Sequence, residues 1–212
     1  AAIAVCPTNA DLWFLLGKTY LSSRYKDVAH AATAFEKAAE LAPDALLAKA
    51  CLAETHADRD NTPDAQRLYR EAWTLARGED DRAAWLASVG MEAHQALRNG
   101  KGTDWALDLL REALPAAPEA RTSIAELLAR QNRNDEALDA IVHGFAATTN
   151  AGTQRALLGQ LIAVKDKVSD KKAGQDTYDR LIASSTLSEY DRLALELRQV
   201  KYEDRPARLP DL

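Results

Sequence analysis

Eight residues near the N-terminus constrain this chain more than anything else in it. Trp13, Leu16, Gly17 and Tyr20 are followed by Ala31, Phe35 and Ala38, and then by Pro43. Each group falls at three- and four-residue steps, so each marks one face of a helix. The proline closes the second helix, because its ring removes a backbone donor and clashes with the preceding turn. Gly17 interrupts the first helix at a cost of roughly 1 kcal/mol relative to alanine, which marks a backbone that another element approaches closely. The spacing returns about 36 residues later as Leu52, Ala53 and His56, followed by Ala65, Tyr69 and Ala72. Recurrence at such a period is the signature of stacked two-helix units.

Helical periodicity continues along the chain. Phe35, Ala38, Ala39 and Leu41, and again Leu68, Ala72 and Leu75, give one buried stripe per helix, and strand-like alternation is absent. Pro7, Pro43, Pro63 and Pro118 stand between the periodic segments, where proline begins or ends helices. The spacing predicts about eleven helices. The last opens with Thr186 and Glu189 at capping-box spacing and carries Tyr190, Leu193, Leu197 and Val200 on one face, so it is expected to cover the end of the stack. The final stretch, EDRPARLPDL, has two prolines and little periodicity and reads as an extended tail.

These landmarks resemble the tetratricopeptide repeat, whose pattern is W-x-x-L-G-x-x-Y, then A-x-x-x-F, then a helix-ending proline over about 34 residues. The first copy matches throughout apart from two extra residues in the turn SSRYKDV. The second keeps the spacing without the tryptophan. A third is read from Asp80 through Leu86, Ala87, Ala106, Leu110, Ala113 and Pro118, with a long turn LRNGKGTD, and a fourth from Arg121 through Ile124, Leu127, Leu128 and Ala137. The fifth is recognisable mainly as two helices carrying Leu157, Leu158, Gly159 and Leu161, then Ala173, Tyr178 and Leu181. The resemblance implies an all-α, right-handed superhelical solenoid of about five helix pairs plus a C-terminal capping helix. The expected organisation is one solenoid over 1–203, with repeats at 10–45, 46–79, 80–120, 121–150 and 151–186, a cap at 187–203 and a tail at 204–212. Pro7 stands where Pro43 stands in the first copy, so residues 1–9 are expected to be the end of an upstream repeat. In the family, Gly17 would face the small residue of the second helix, here Ala31.

The same resemblance implies where function lies. Stacked pairs create a long groove lined by the first helix of each pair. The family's groove positions fall on Asp11, Phe14, Lys18, Leu21 and Ser22 in the first copy. The second copy supplies Leu47, Ala50, Glu54, Ala57 and Asp58, and the third Asp81, Ala84, Ser88, Met91 and Glu92. Family members that hold a C-terminal carboxylate need converging lysine, arginine and asparagine donors, whereas Phe14, Glu54 and Asp81 stand here. The acids suit a protein partner with a basic or apolar segment; read without a partner, they form a solvated face.

Composition narrows the classes further. The 212 residues are 47% hydrophobic and 28% charged, with a net charge of -5, so a folded domain is expected and a basic surface for nucleic acid is not. Two distant cysteines, Cys6 and Cys51, give no disulfide framework. No apolar run reaches the ~20 residues of a membrane span, so no membrane insertion is expected from this segment. His30, His56, His94 and His143 lack the spacing of a metal motif. NGKGTD lacks the order of a phosphate loop and reads as a helix-to-helix turn at Asn99-Gly100. Asp166 and Asp170 interrupt the cluster Lys165, Lys167, Lys171 and Lys172, and Trp73, Trp85 and Trp105 read as core rather than as a sugar-stacking platform. No nucleophile, base and acid group at a usable spacing, so no catalytic residue, cofactor or metal is expected.

The leading reading is therefore a non-catalytic protein-interaction scaffold, a segment of a larger protein that docks a partner in its groove. The alternative rests on a looser likeness. Alanine- and arginine-rich degenerate repeats look similar to the periplasmic superhelices of bacterial exopolysaccharide secretion proteins, which recruit polymer-modifying enzymes or guide polymer. That alternative implies a periplasmic location and a barrel of alternating strands after Leu212.

Overall fold

The computed structural model describes residues 2–22, 24 and 26–199, and every regular element among them is an α-helix. The chain divides into two compact units, Ala1–Ala113 and Leu114–Leu212.

The first unit holds α1 (Ala2–Val5), α2 (Ala10–Leu21), α3 (Val28–Leu41), α4 (Leu46–Asp58), α5 (Thr62–Leu75), α6 (Glu79–Arg98) and α7 (Asp104–Ala113). Helices neighbouring in sequence pack as hairpins, α2 on α3 and α4 on α5, while α4 also meets α6 and α5 meets α7. Local chemistry starts several of them. The Asn9 carboxamide oxygen accepts from the Leu12 amide at 3.2 Å, Asp27 accepts from the His30 amide at 3.1 Å, and Pro63 sits in the first turn of α5, each arrangement supplying or removing an unpaired donor of a helix start. The core of the unit is Phe35, Tyr69, Trp85, Leu107, Leu109 and Leu110 among many buried alanines. Alanine on the mating faces lets neighbouring helices approach closely, and the few large rings fill the joints between them. The Arg70 guanidinium holds Glu112 by two bonds of 2.8 and 2.9 Å, tying α5 to α7, and Lys49 reaches Glu71 at 2.9 Å between α4 and α5.

The opening glycine finds its partner here. A Cβ built on Gly17 would lie 2.5 Å from Phe35 Cε1 and 2.7 Å from Cδ1 and Cζ. The nearest atoms all belong to the Phe35 ring, fully buried and one turn along α3 from the expected neighbour Ala31. A phenyl ring reaches further than a methyl, so the close approach is of side chain to backbone.

The second unit holds α8 (Ala120–Arg130), α9 (Asn134–Ala146), α10 (Ala151–Val164), α11 (Lys171–Ser184) and α12 (Glu189–Gln199). Helix α10 packs on α8, α9, α11 and α12 and brings Leu157, Leu158 and Leu161 against a core that includes Leu127, Leu128 and Ile141. The last helix differs from expectation at its start and on its face. Its cap is Ser188, whose hydroxyl accepts from the Asp191 amide at 3.1 Å and donates to the Asp191 carboxylate at 2.8 Å. Thr186 instead gives its amide and hydroxyl to Gln154 Oε1, at 2.9 and 3.0 Å. Leu195 is buried, whereas Tyr190 is 79% exposed. Val200, Tyr202 and the tail at 204–212 lie outside the described residues.

Three hairpin turns share one backbone device that the letters conceal. Asp60, Gly100 and Asn132 have φ of 61°, 71° and 61°, each just past a helix end. At each, the following amide reaches back to a carbonyl five residues earlier: Asn61 to His56, Lys101 to Ala96 and Arg133 to Leu128, all at 2.9 Å. The left-handed residue itself donates to Ala57, Leu97 or Ala129 at 3.0 to 3.1 Å. This pair of bonds is the Schellman closure, which satisfies the last carbonyls of a helix.

Candidate functional site

Helices α2, α4 and α6 share one face of the first unit, and spacing places the candidate groove residues along it in two tiers. Asp11 and Lys18, Leu47 and Glu54, and Asp81 and Ser88 are each seven residues apart. Seven residues are two helical turns, about 10.5 Å, with both side chains on the same side.

The first tier is a cleft of about 420 Å³ at the N-terminal ends of these helices, lined by Asp11, Phe14, Leu47, Leu75, Arg77 and Asp81 among others. Phe14 packs on Phe35 with ring centroids 5.7 Å apart, so its ring is held from behind. Leu47 is 51% exposed, a large apolar side chain presented to solvent at the mouth of a cleft. Asp81 is partly committed already: its carboxylate accepts from the Arg77 amide at 3.0 Å.

The second tier is an acidic cluster. The Ser88 hydroxyl donates to Glu54 Oε1 at 2.7 Å, and Gln95 Nε2 donates to Asp58 Oδ1 at 2.5 Å, so both bonds cross from α6 to α4. Glu92 is 8% exposed and belongs to the same cluster, since Asp58 and Glu54 both disfavour its charged form. Burial is the largest cause, and with those two neighbours it pushes the Glu92 carboxyl up to about 7. Burial likewise raises Glu54, against the pull of Ser88 and of Lys18 from α2. A buried carboxylate next to others is costly to ionise, which is the physical reason for both shifts. Of these acids, read from sequence as a solvated face, Glu92 is buried, whereas Glu54 and Asp58 are half-buried. Met91, assigned to the groove by the family's spacing, is 63% exposed, whereas the neighbouring Glu92 is the buried one.

Two members of the cluster escaped the sequence reading. Tyr69, from α5, is fully buried, and Glu54, Glu92 and Cys51 all act on its hydroxyl, whose pKa burial drives well above the usual phenol value. Its ring stands in the second copy where Phe35 stands in the first. The signal was the extra oxygen, because a tyrosine at a fully buried ring position must bring its hydroxyl somewhere. Cys51 is buried beside it, its thiol pushed up to about 12 mainly by burial.

The other sequence candidates resolve into structure. Trp85 donates its indole N–H to the Tyr69 carbonyl at 2.8 Å and packs on Trp73 with centroids 4.7 Å apart, while Trp105 stacks on Tyr69 at 5.9 Å. These rings serve one another. His56 faces Asn61, with 3.1 Å between its Nδ1 and the Asn61 Nδ2, at the α4–α5 turn. Asn99-Gly100 does form the helix-to-helix turn. Lys165 is buried and donates to Gln175 Oε1 at 2.7 Å, which breaks up the basic cluster around it. Both cysteines are free, Cys6 exposed and Cys51 buried. Among the described residues no helix is long and apolar enough to cross a membrane, and no group of three histidines, cysteines or acids is arranged to hold a metal ion.

No family model matches the sequence, and no curated protein matches it. Solved structures with similarity include the protein described under the functional characterisation of Pseudomonas aeruginosa pilF, 18% identical over 94% of this chain and 86% of that one, with a TM-score of 0.44. Another is YrrB, described as a TPR protein with an unusual peptide-binding site, 16% identical over 92% of this chain and 95% of that one, with a TM-score of 0.45.

Proposed function

We propose that this chain is a non-catalytic scaffold that docks an extended segment of a partner protein on the α2–α4–α6 face of its first unit. In this reading the expected repeats at 10–45, 46–79 and 80–120 each contribute one strip of that face. The observation that carries it is the cleft, where Leu47 stands half exposed beside a braced Phe14 and between the acids Asp11 and Asp81. An apolar side chain of the partner fills such a cleft and gains about 25 cal/mol for each Å² withdrawn from water. The acids at the rim favour a segment of opposite charge and suppress acidic ones.

The test is selection of binding peptides from a displayed random library, followed by affinity measurement on variants. Leu47→Glu is expected to weaken the selected peptides at least tenfold with an unchanged helical circular dichroism spectrum, because Leu47 contributes little to the core. Phe14→Ala is expected to act in the same direction. Binding that survives Leu47→Glu at full strength places the docking surface elsewhere.

A further inference from the structure

The second unit has a cleft of its own, about 620 Å³ in volume. It is lined by residues of α8 and α10, of the turns that follow them, and by Arg198 of α12. Arg130, Lys167 and Arg198 bring three cations to it and Glu126 one carboxylate, a local net charge of +2 in a chain whose own net charge is -5. Arg130 holds Glu126 at 3.0 Å. Among the described residues neither Lys167 nor Arg198 forms an ion pair, and the side-chain amide of Asn132, also in the lining, forms no hydrogen bond. Arg155, which joins the same two helices as Arg198, does find an acid, Asp191, at 3.0 Å.

A glycine supplies the second observation. Gly159 lies inside α10 and is buried, at a position where glycine weakens a helix relative to alanine. A Cβ built there would lie 2.7 Å from Arg198 Nη1 and 3.6 and 3.9 Å from Cζ and Nη2, and these three are its nearest neighbours. Gly17 in the first unit makes room for a buried phenyl ring that fills the core. Gly159 instead makes room for the head of an exposed arginine that holds no acid. Seated against α10, that guanidinium keeps its fork of donors for what enters the cleft.

We propose that this cleft binds a phosphate monoester, the phosphoserine or phosphothreonine of a segment of a partner protein. Arg198 and Lys167 are its cations, and Asn132 is a neutral donor beside them. Charge selects the group: a phosphate monoester carries about −1.5 to −2 at pH 7 and offers three acceptor oxygens, which a local charge of +2 balances and a single carboxylate does not. Volume selects its source. The cleft falls in the range of roughly 300–1,000 Å³ that encloses a whole small ligand, so it takes the chain on either side of the modified residue as well as the phosphate. The site lies within the second unit and stands apart from the docking face of the first.

The test offers the immobilised full chain three peptide libraries, with phosphoserine, glutamate or serine at the centre and four randomised positions on each side. The most strongly retained peptides are then labelled with fluorescein and measured by fluorescence polarisation. Phosphoserine peptides are expected to bind at least tenfold tighter than the same peptides carrying glutamate or serine, and to weaken as salt screens the charges. Arg198→Gln and Lys167→Gln are each expected to weaken them at least fivefold. Gly159→Ala separates binding from stability. Its methyl displaces the end of a flexible side chain and improves helix propensity, so the melting temperature holds or rises while phosphopeptide affinity falls at least threefold. A melting temperature that falls makes Gly159 a packing residue and overturns its part in the site. Equal binding of phosphoserine and glutamate peptides overturns the proposal, as does affinity that survives Arg198→Gln or an absence of any retained phosphopeptide. Inorganic phosphate that competes at concentrations equal to the best peptide also overturns it, by removing the partner segment.

Discussion

Replacing Gly17 by alanine sets two known effects against each other, and the geometry decides the sign. Alanine in place of a helical glycine gains about 1 kcal/mol of helix propensity. At Gly17 the new methyl carbon arrives 2.5 Å from Phe35 Cε1, so the ring must retreat by about 1 Å to reach ordinary contact. The ring has little room to yield, being fully buried with Phe14 against it at 5.7 Å. Overpacking of a well-packed core costs typically 1–3 kcal/mol, which leaves a net loss of about 1 kcal/mol and a fall in melting temperature of about 4 °C or more for a unit near 100 residues. The same substitution at Gly90, also mid-helix, meets nothing within 4 Å. Gly90→Ala should therefore raise the melting temperature while Gly17→Ala lowers it. Thermal and urea unfolding followed by circular dichroism read both, and a Gly17→Ala, Phe35→Leu pair should recover part of the loss as a coupling term. Parallel rises for the two alanine variants refute the placement of the Phe35 ring.

Three further outcomes test other parts of the structure. Gly100→Ala puts a side chain at φ 71° and should cost about 1 kcal/mol in chemical denaturation, whereas Gly102→Ala, with open space and no positive φ, should be near neutral. The Glu92 carboxyl is raised from 4.5 to about 7, so between those values the folded chain holds a proton that the unfolded chain has released. The stability this contributes is full below pH 4.5 and lost as pH rises towards 7; a wild-type melting temperature that falls across that window relative to Glu92→Gln confirms it, and parallel profiles exclude it. Cys51, buried with its thiol near 12, should resist a thiol reagent at pH 8 while exposed Cys6 reacts, giving one equivalent in the native protein and two in denaturant.

The helices were legible because their faces are written in a period that needs no tertiary information. Leu68, Ala72 and Leu75 announce α5 whatever it packs against. What faces what was harder to read. Gly17 declared a close approach, but the choice between Ala31 and Phe35, both on the inner side of α3, depends on the rotation of one helix against the other, which letters do not carry. Thr186 lost the capping role to Ser188 because Gln154, 32 residues earlier, reaches its amide and hydroxyl, a bond invisible to local reasoning. The candidate face shows the same division. The resemblance implied Glu54, Asp58, Ser88 and Glu92 together, while the burial of Glu92 and the place of Tyr69 followed only from the packing of α4, α5 and α6.

The repeated Schellman turn bears on how such a chain tolerates divergence. Its two bonds run entirely between main-chain atoms, and the residue at its pivot is aspartate, glycine or asparagine at the three sites. The hairpins are thus specified by a conformation that several residue types adopt, not by a conserved letter. Mutation can erase the lexical trace of a repeat at its corner and leave the corner intact. Heredity of form here is carried by torsion angles, and kinship between copies is better sought in the sign of φ than in identity of residues.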